Sequence, residues 1–94
     1  MSAAPLSTAS RPGLSPHARM KNDAARGGWV LLGPERVLML DPIAAEILAL
    51  CDGSAEIGTI ADELARRHEA PREEVLGDVL EMLQGLRDKG LLVA

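Results

Sequence analysis

Phenylalanine and tyrosine are missing from this chain, and Trp29 is its one aromatic residue. Any packed interior must therefore be aliphatic, built from Leu, Val, Ile and Ala. A single cysteine, Cys51, excludes an internal disulfide and a cysteine-based zinc site within one chain. His17 and His68 are the only imidazoles, one beside the N-terminal segment and one at the end of a helical pattern. A metal site needs three or four converging ligands, and a Ser or Cys nucleophile needs a positioned base; neither constellation is present. The adjacent acids Asp62/Glu63 and Glu73/Glu74 sit at or near helix starts, where the helix dipole accounts for them. A glycine-rich phosphate loop is absent, as is the Asp-Ser-Leu attachment site of an acyl carrier. No apolar run approaches the ~20 residues that span a bilayer as a helix. These absences point away from an enzyme: no catalytic residue, metal or cofactor is expected.

What is present is one domain's worth of chain, 94 residues of which 47% are apolar. The net charge of −4 divides unevenly, with +3 on residues 1–40 and −7 on residues 41–94. An acidic body with a mildly basic front does not suit DNA, whose ligands neutralise several phosphates at once. It suits an acidic peptide that meets the front half only.

Residues 1–16 read as a disordered tail, since twelve of the sixteen are Ala, Ser, Thr, Gly or Pro. The tail lacks the apolar core of a secretory signal, and with one unpaired cysteine the cytoplasm is the expected compartment. Residues 17–94 read as the domain. His17–Asn22 and Trp29–Leu32 are strand-like, and Gly33-Pro34-Glu35-Arg36 is a turn into a returning strand, Arg36–Leu40. From Asp41 the apolar period changes from two to about 3.6. Asp41-Pro42 is a helix start, an acidic cap followed by proline at the first helical position, and Asp52-Gly53 ends that helix. A second helix covers roughly Gly58–His68. A third runs from Pro71 to about Lys89 with an apolar stripe of Val75 or Leu76, Val79, Met82, Leu83 and Leu86, and Gly90 stops it. Leu91-Leu92-Val93 is expected to dock as an extended piece. The fold class is α+β, a three-stranded antiparallel sheet followed by a three-helix bundle.

The hairpin carries the most information. A sheet covered on one face should alternate apolar and polar residues, yet Trp29–Leu32 and Val37–Leu40 are apolar throughout. Something must cover the second face or the edge: a helix, the folded-back tail, a second subunit or a bound peptide.

Residues 26–53 resemble the pyrroloquinoline quinone biosynthesis protein D (PqqD) family. The resemblance lies in the Pro34-Glu35 turn with its following Leu38-x-Leu40, in Ala45-x-Ile47-Leu48 leading to Asp52-Gly53, and in Asp78-Val79, Leu83 and Gly90-Leu91-Leu92. Ala70-Pro71-Arg72-Glu73-Glu74, entering the third helix, strengthens it, and the likeness extends over residues 15–94. Asp41 stands where many relatives carry Asn, and either residue caps a helix.

The resemblance implies a winged helix-turn-helix-like peptide-recognition element without catalytic activity. It implies that the protein binds the ribosomally made precursor peptide PqqA and presents it to the radical S-adenosylmethionine enzyme PqqE. The peptide would pair with the strand Arg36, Val37, Leu38, Met39 and Leu40 and pack on Val75, Val79 and Leu83. Two rival readings are DNA binding through the third helix and self-association through the apolar hairpin. The third helix carries five acids against three bases, so phosphate would be repelled and no nucleic-acid partner is expected. An open strand edge leaves both a monomer and a homodimer open.

Overall fold

The computed structural model describes residues 4–94. Strands β1 (Gly13–Leu14), β2 (Arg19–Asp23), β3 (Gly28–Gly33) and β4 (Arg36–Met39) come first. Helices α1 (Pro42–Ala49), α2 (Ile57–His68) and α3 (Arg72–Asp88) follow, and β5 (Leu92–Val93) closes the chain. The sheet is antiparallel in the order β2-β3-β4, with Lys21 opposite Val30 and Val30 opposite Met39. The β3–β4 turn is Pro34-Glu35, flanked by the Gly33–Arg36 pair. Proline's fixed φ suits that turn position, as the sequence indicates.

The start of α1 and the end of α3 are set by neighbouring residues. Asp41 caps α1, its Oδ1 accepting from the Ala44 N–H at 2.7 Å. At the end of α3 the Leu91 N–H reaches the Leu86 carbonyl at 3.0 Å and the Gly90 N–H reaches Arg87 at 2.9 Å. That is a Schellman close, and it needs the positive φ of 77° that Gly90 adopts without strain. It turns the chain so that Leu91 and Leu92, each 2% exposed, enter the core.

The core is aliphatic, as the composition requires. Leu31, Ile57, Ile60, Leu64, Val79, Leu83, Leu91 and Leu92 form its centre, and burying each such side chain is worth about 1.5–3 kcal/mol. Trp29 stays outside it, exposed on the surface.

The expectation of a disordered tail over residues 1–16 is corrected for residues 4–16; residues 1–3 lie outside the described residues. Leu6 is buried in the main core, and its N–H donates to Gln84 Oε1 at 3.0 Å. The Thr8 and Ser10 carbonyls accept the Gly58 and Ile57 N–H groups, both at 2.9 Å. Helix α2 has no side-chain cap, so these carbonyls satisfy two of its open donors instead. Pro12 is fully buried, and Gly13–Leu14 pairs with Val93–Leu92 as a second, two-stranded sheet. Arg11 ties the segment further, pairing with Glu56 at 3.3 Å and donating to the Ser54 carbonyl. A composition poor in apolar residues does not build a core, but two or three well-placed ones can join a core that others supply.

Smaller differences concern boundaries. The first strand of the main sheet is Arg19–Asp23 rather than His17–Asn22, and α1 ends at Ala49 rather than near Asp52. Asp52 instead accepts from the Ser54 and Ala55 N–H groups and folds the α1–α2 connection.

Candidate functional site

Strand β4 lies at the edge of the sheet and pairs on one side only, with β3. Beyond its free side lies α3, and a groove of about 510 Å³ separates the two. Leu38, Met39 and Leu40 line it from the strand side, with Ala44 at the start of α1. Helix α3 contributes Asp78, Glu81, Met82, Gly85, Leu86 and Lys89. The apolar members Leu38, Leu40, Met82 and Leu86 are half-buried or buried and form the floor; Asp78, Glu81 and Lys89 are exposed and form the rim.

The pleat divides the expected strand residues. Leu31 faces the core, so its partner Leu38 faces inward too, toward the groove. Val37 and Met39 alternate with Leu38 along the strand and are 46% and 58% exposed. Arg36 is exposed at the start of the strand. No element among the described residues pairs with the outer edge of β4, so its outward backbone donors and acceptors are open to a partner strand.

The helix residues expected to flank this strand are placed differently. Val79 and Leu83 are completely buried and belong to the core, not to the groove. Val75 is half-buried and lines a separate cavity of about 220 Å³, with Ile43, Ile47 and His68. The most apolar stripe of an amphipathic helix goes to the core, because burial there is worth most. The groove receives the neighbouring stripe, Asp78, Met82, Gly85 and Lys89. Its signal in the sequence is Met82 and Gly85 standing among charged residues.

The Cys51 thiol is pushed up to about 12 by burial and by the neighbouring Asp52 charge, and it donates to the Ile47 carbonyl at 3.3 Å. Glu46 is held below the ordinary carboxylate range by His68, whose Nε2 lies 2.9 Å away, and by Arg67. The Arg67–Glu46 salt bridge and the His68 contact tie α1 to the end of α2. Trp29, with Met20, Pro42 and Ala49, borders a further shallow cavity of about 530 Å³ on the surface of α1.

A three-stranded sheet with an open edge strand, set beside a helix across an apolar groove, defines a small α+β recognition domain. The family model described as Coenzyme PQQ synthesis protein D (PqqD) matches residues 28–92. The chain belongs to the PqqD family. It is 53% identical to the PqqA binding protein of Bradyrhizobium diazoefficiens over 87 residues, which is 93% of this chain and 84% of that protein. The PqqA binding protein of Xanthomonas axonopodis pv. citri is 42% identical, over 88% of this chain and 90% of its own. Among solved structures, the PqqD truncation of Methylobacterium extorquens PqqCD superposes with a TM-score of 0.83 at 35% identity, covering 95% of both chains. That protein is described as a functional, stand-alone recognition element for ribosomally synthesized and post-translationally modified peptides. PqqD from Xanthomonas campestris superposes with a TM-score of 0.61 at 39% identity, covering 95% of this chain and 99% of that one.

Proposed function

We propose that this protein binds the precursor peptide PqqA by strand addition to the free edge of β4, above the β4–α3 groove, and presents it to the radical SAM enzyme PqqE. The open edge beside an apolar groove is the observation that carries the reading, and relatives named for PqqA binding support it. In this mode backbone pairing supplies affinity, and alternate side chains entering the groove supply specificity. A few backbone hydrogen bonds contribute about 0.5–1.5 kcal/mol each. Two or three apolar side chains settling on Leu38, Leu40 and Met82 add roughly 1.5–3 kcal/mol each before ordering costs. Together these reach micromolar binding, about −8 kcal/mol, once ordering costs are met. The protein itself catalyses no step in this reading; it works in the cytoplasm, where the peptide is made.

The test is titration of PqqA into isotope-labelled protein. Amide shifts should concentrate in residues 36–40 and 78–89, and Met39→Pro, which removes a backbone donor from the edge strand, should abolish them. Circular dichroism separates lost binding from lost fold. Shifts centred on α2 or on the β1–β5 sheet would refute the placement.

A further inference from the structure

The groove is polarised along its length. Asp78 lines both the groove and the cavity beside Ile43, so this end of α3 lies by α1, where β4 ends. At the other end Gly33, the partner of Arg36, abuts Leu91, which follows Lys89 and Gly90. Helix α3 and β4 therefore run in opposite senses across the groove. Asp78 and Glu81 place carboxylates toward one end of the groove, and Lys89 places an ammonium at the other. Among the described residues Glu81 and Lys89 have no ion-pair partner, so both charges are available to a ligand.

Between these charges stands Gly85. A glycine inside a helix is unfavourable relative to alanine, so its presence calls for a reason. Crowding is not that reason, because a Cβ built at Gly85 would meet no atom within 4 Å. Gly85 is an empty notch in the groove wall.

Glu81, Gly85 and Lys89 are spaced four residues apart, which on a helix is a step of ~6 Å. Alternate residues of an extended strand advance by ~6.6 Å. A strand lying along β4 thus presents one side chain to each of the three positions in turn. We infer that Glu81, Gly85 and Lys89 read the register of the bound segment, selecting an extended peptide with a basic residue, an apolar residue and an acidic residue at alternate positions. The basic side chain meets Glu81, the apolar one fills the Gly85 notch, and the acidic one meets Lys89. This rests on the groove reading above and adds the chemistry of its occupant.

The probes are two synthetic decapeptides of Ser and Thr carrying Lys, Leu and Glu at alternate central positions, in that order or reversed, used at up to about millimolar concentration because each buries a single apolar side chain. Each competes against labelled PqqA on the full chain and on the charge-swapped variant Glu81→Lys/Lys89→Glu. The parent should prefer one twin by about tenfold, the order of two exposed pairs gained against two repulsions, and the swapped variant should prefer the other. Equal competition by both twins, no competition by either, or an unchanged preference after the swap would overturn the register. Gly85→Leu isolates the underlying reading: it should favour the helix, leave the circular dichroism intact and weaken PqqA at least tenfold by filling the notch. If PqqA binds that folded variant undiminished, the groove itself is misplaced. If it is lost while the twins are not discriminated, only the register fails.

Discussion

Leu6 tests whether the N-terminal segment is part of the fold. Its side chain is 8% exposed and joins the main core, so truncation to alanine removes buried methyl groups at about 2–3 kcal/mol before relaxation. The segment lies at a chain end, and that sets a ceiling. If Leu6→Ala cost more than the segment gains by docking, the segment would detach and the loss would stop there. Deleting residues 1–11 measures that ceiling directly, because it also removes the Thr8 and Ser10 carbonyls from the start of α2. Loss of a helix cap costs about 0.5–2 kcal/mol. Urea unfolding should therefore rank the deletion at or above Leu6→Ala, with Leu6→Ala at about 1.5 kcal/mol or more. Hydrogen exchange at the Ile57 and Gly58 amides should accelerate in the deletion and less in Leu6→Ala. If both variants stay within 0.5 kcal/mol of the parent, the segment adds nothing to the fold and its contacts are incidental.

Val79→Asp should unfold the domain, not merely empty the groove, because an unpaired carboxylate would enter the centre of the core; loss of the cooperative thermal transition checks this. Gly33→Ala should destabilise by about 1–3 kcal/mol in urea, since its Cβ would stand 2.6 Å from Leu91 Cδ2. Stability should hold from neutral pH to about 5 and fall as pH drops below the ordinary carboxylate value of 4.5, because Glu46 and Glu63 are held below it in the folded chain and the unfolded chain takes up protons first. Glu46→Gln should flatten that fall in acid-dependent urea midpoints. Cys51, pushed up to about 12, should react with a thiol reagent at pH 8 at least a hundredfold more slowly in the folded protein than in urea; equal rates would contradict its burial.

The features legible in the sequence are those that a few neighbouring residues decide. The Asp41-Pro42 helix start, the Pro34-Glu35 turn and the Gly90 stop each rest on a short-range rule, and each stands where the residues indicated. The α+β order and the aliphatic core follow from periodicity and composition in the same way. The N-terminal segment was not legible, because its docking depends on a core made elsewhere in the chain. Its own composition describes only what it could bury alone.

The site was half legible for a related reason. An edge strand of Arg36, Val37, Leu38, Met39 and Leu40 follows from the hairpin, but which face of α3 turns toward it is a tertiary matter. The stripe of Val79 and Leu83 is the strongest on that helix, and the core claims it, while Leu86 is shared between the core and the groove floor. The groove is left with the weaker stripe about one residue round the helix, where Glu81, Gly85 and Lys89 stand beside Met82. One helix thus serves two faces: its core face fixes the position of its groove face. Substitutions on the core stripe move or unfold the wall, while those on the groove stripe change only what the wall presents. Separating these two faces is the condition for any mutational test of recognition in this protein.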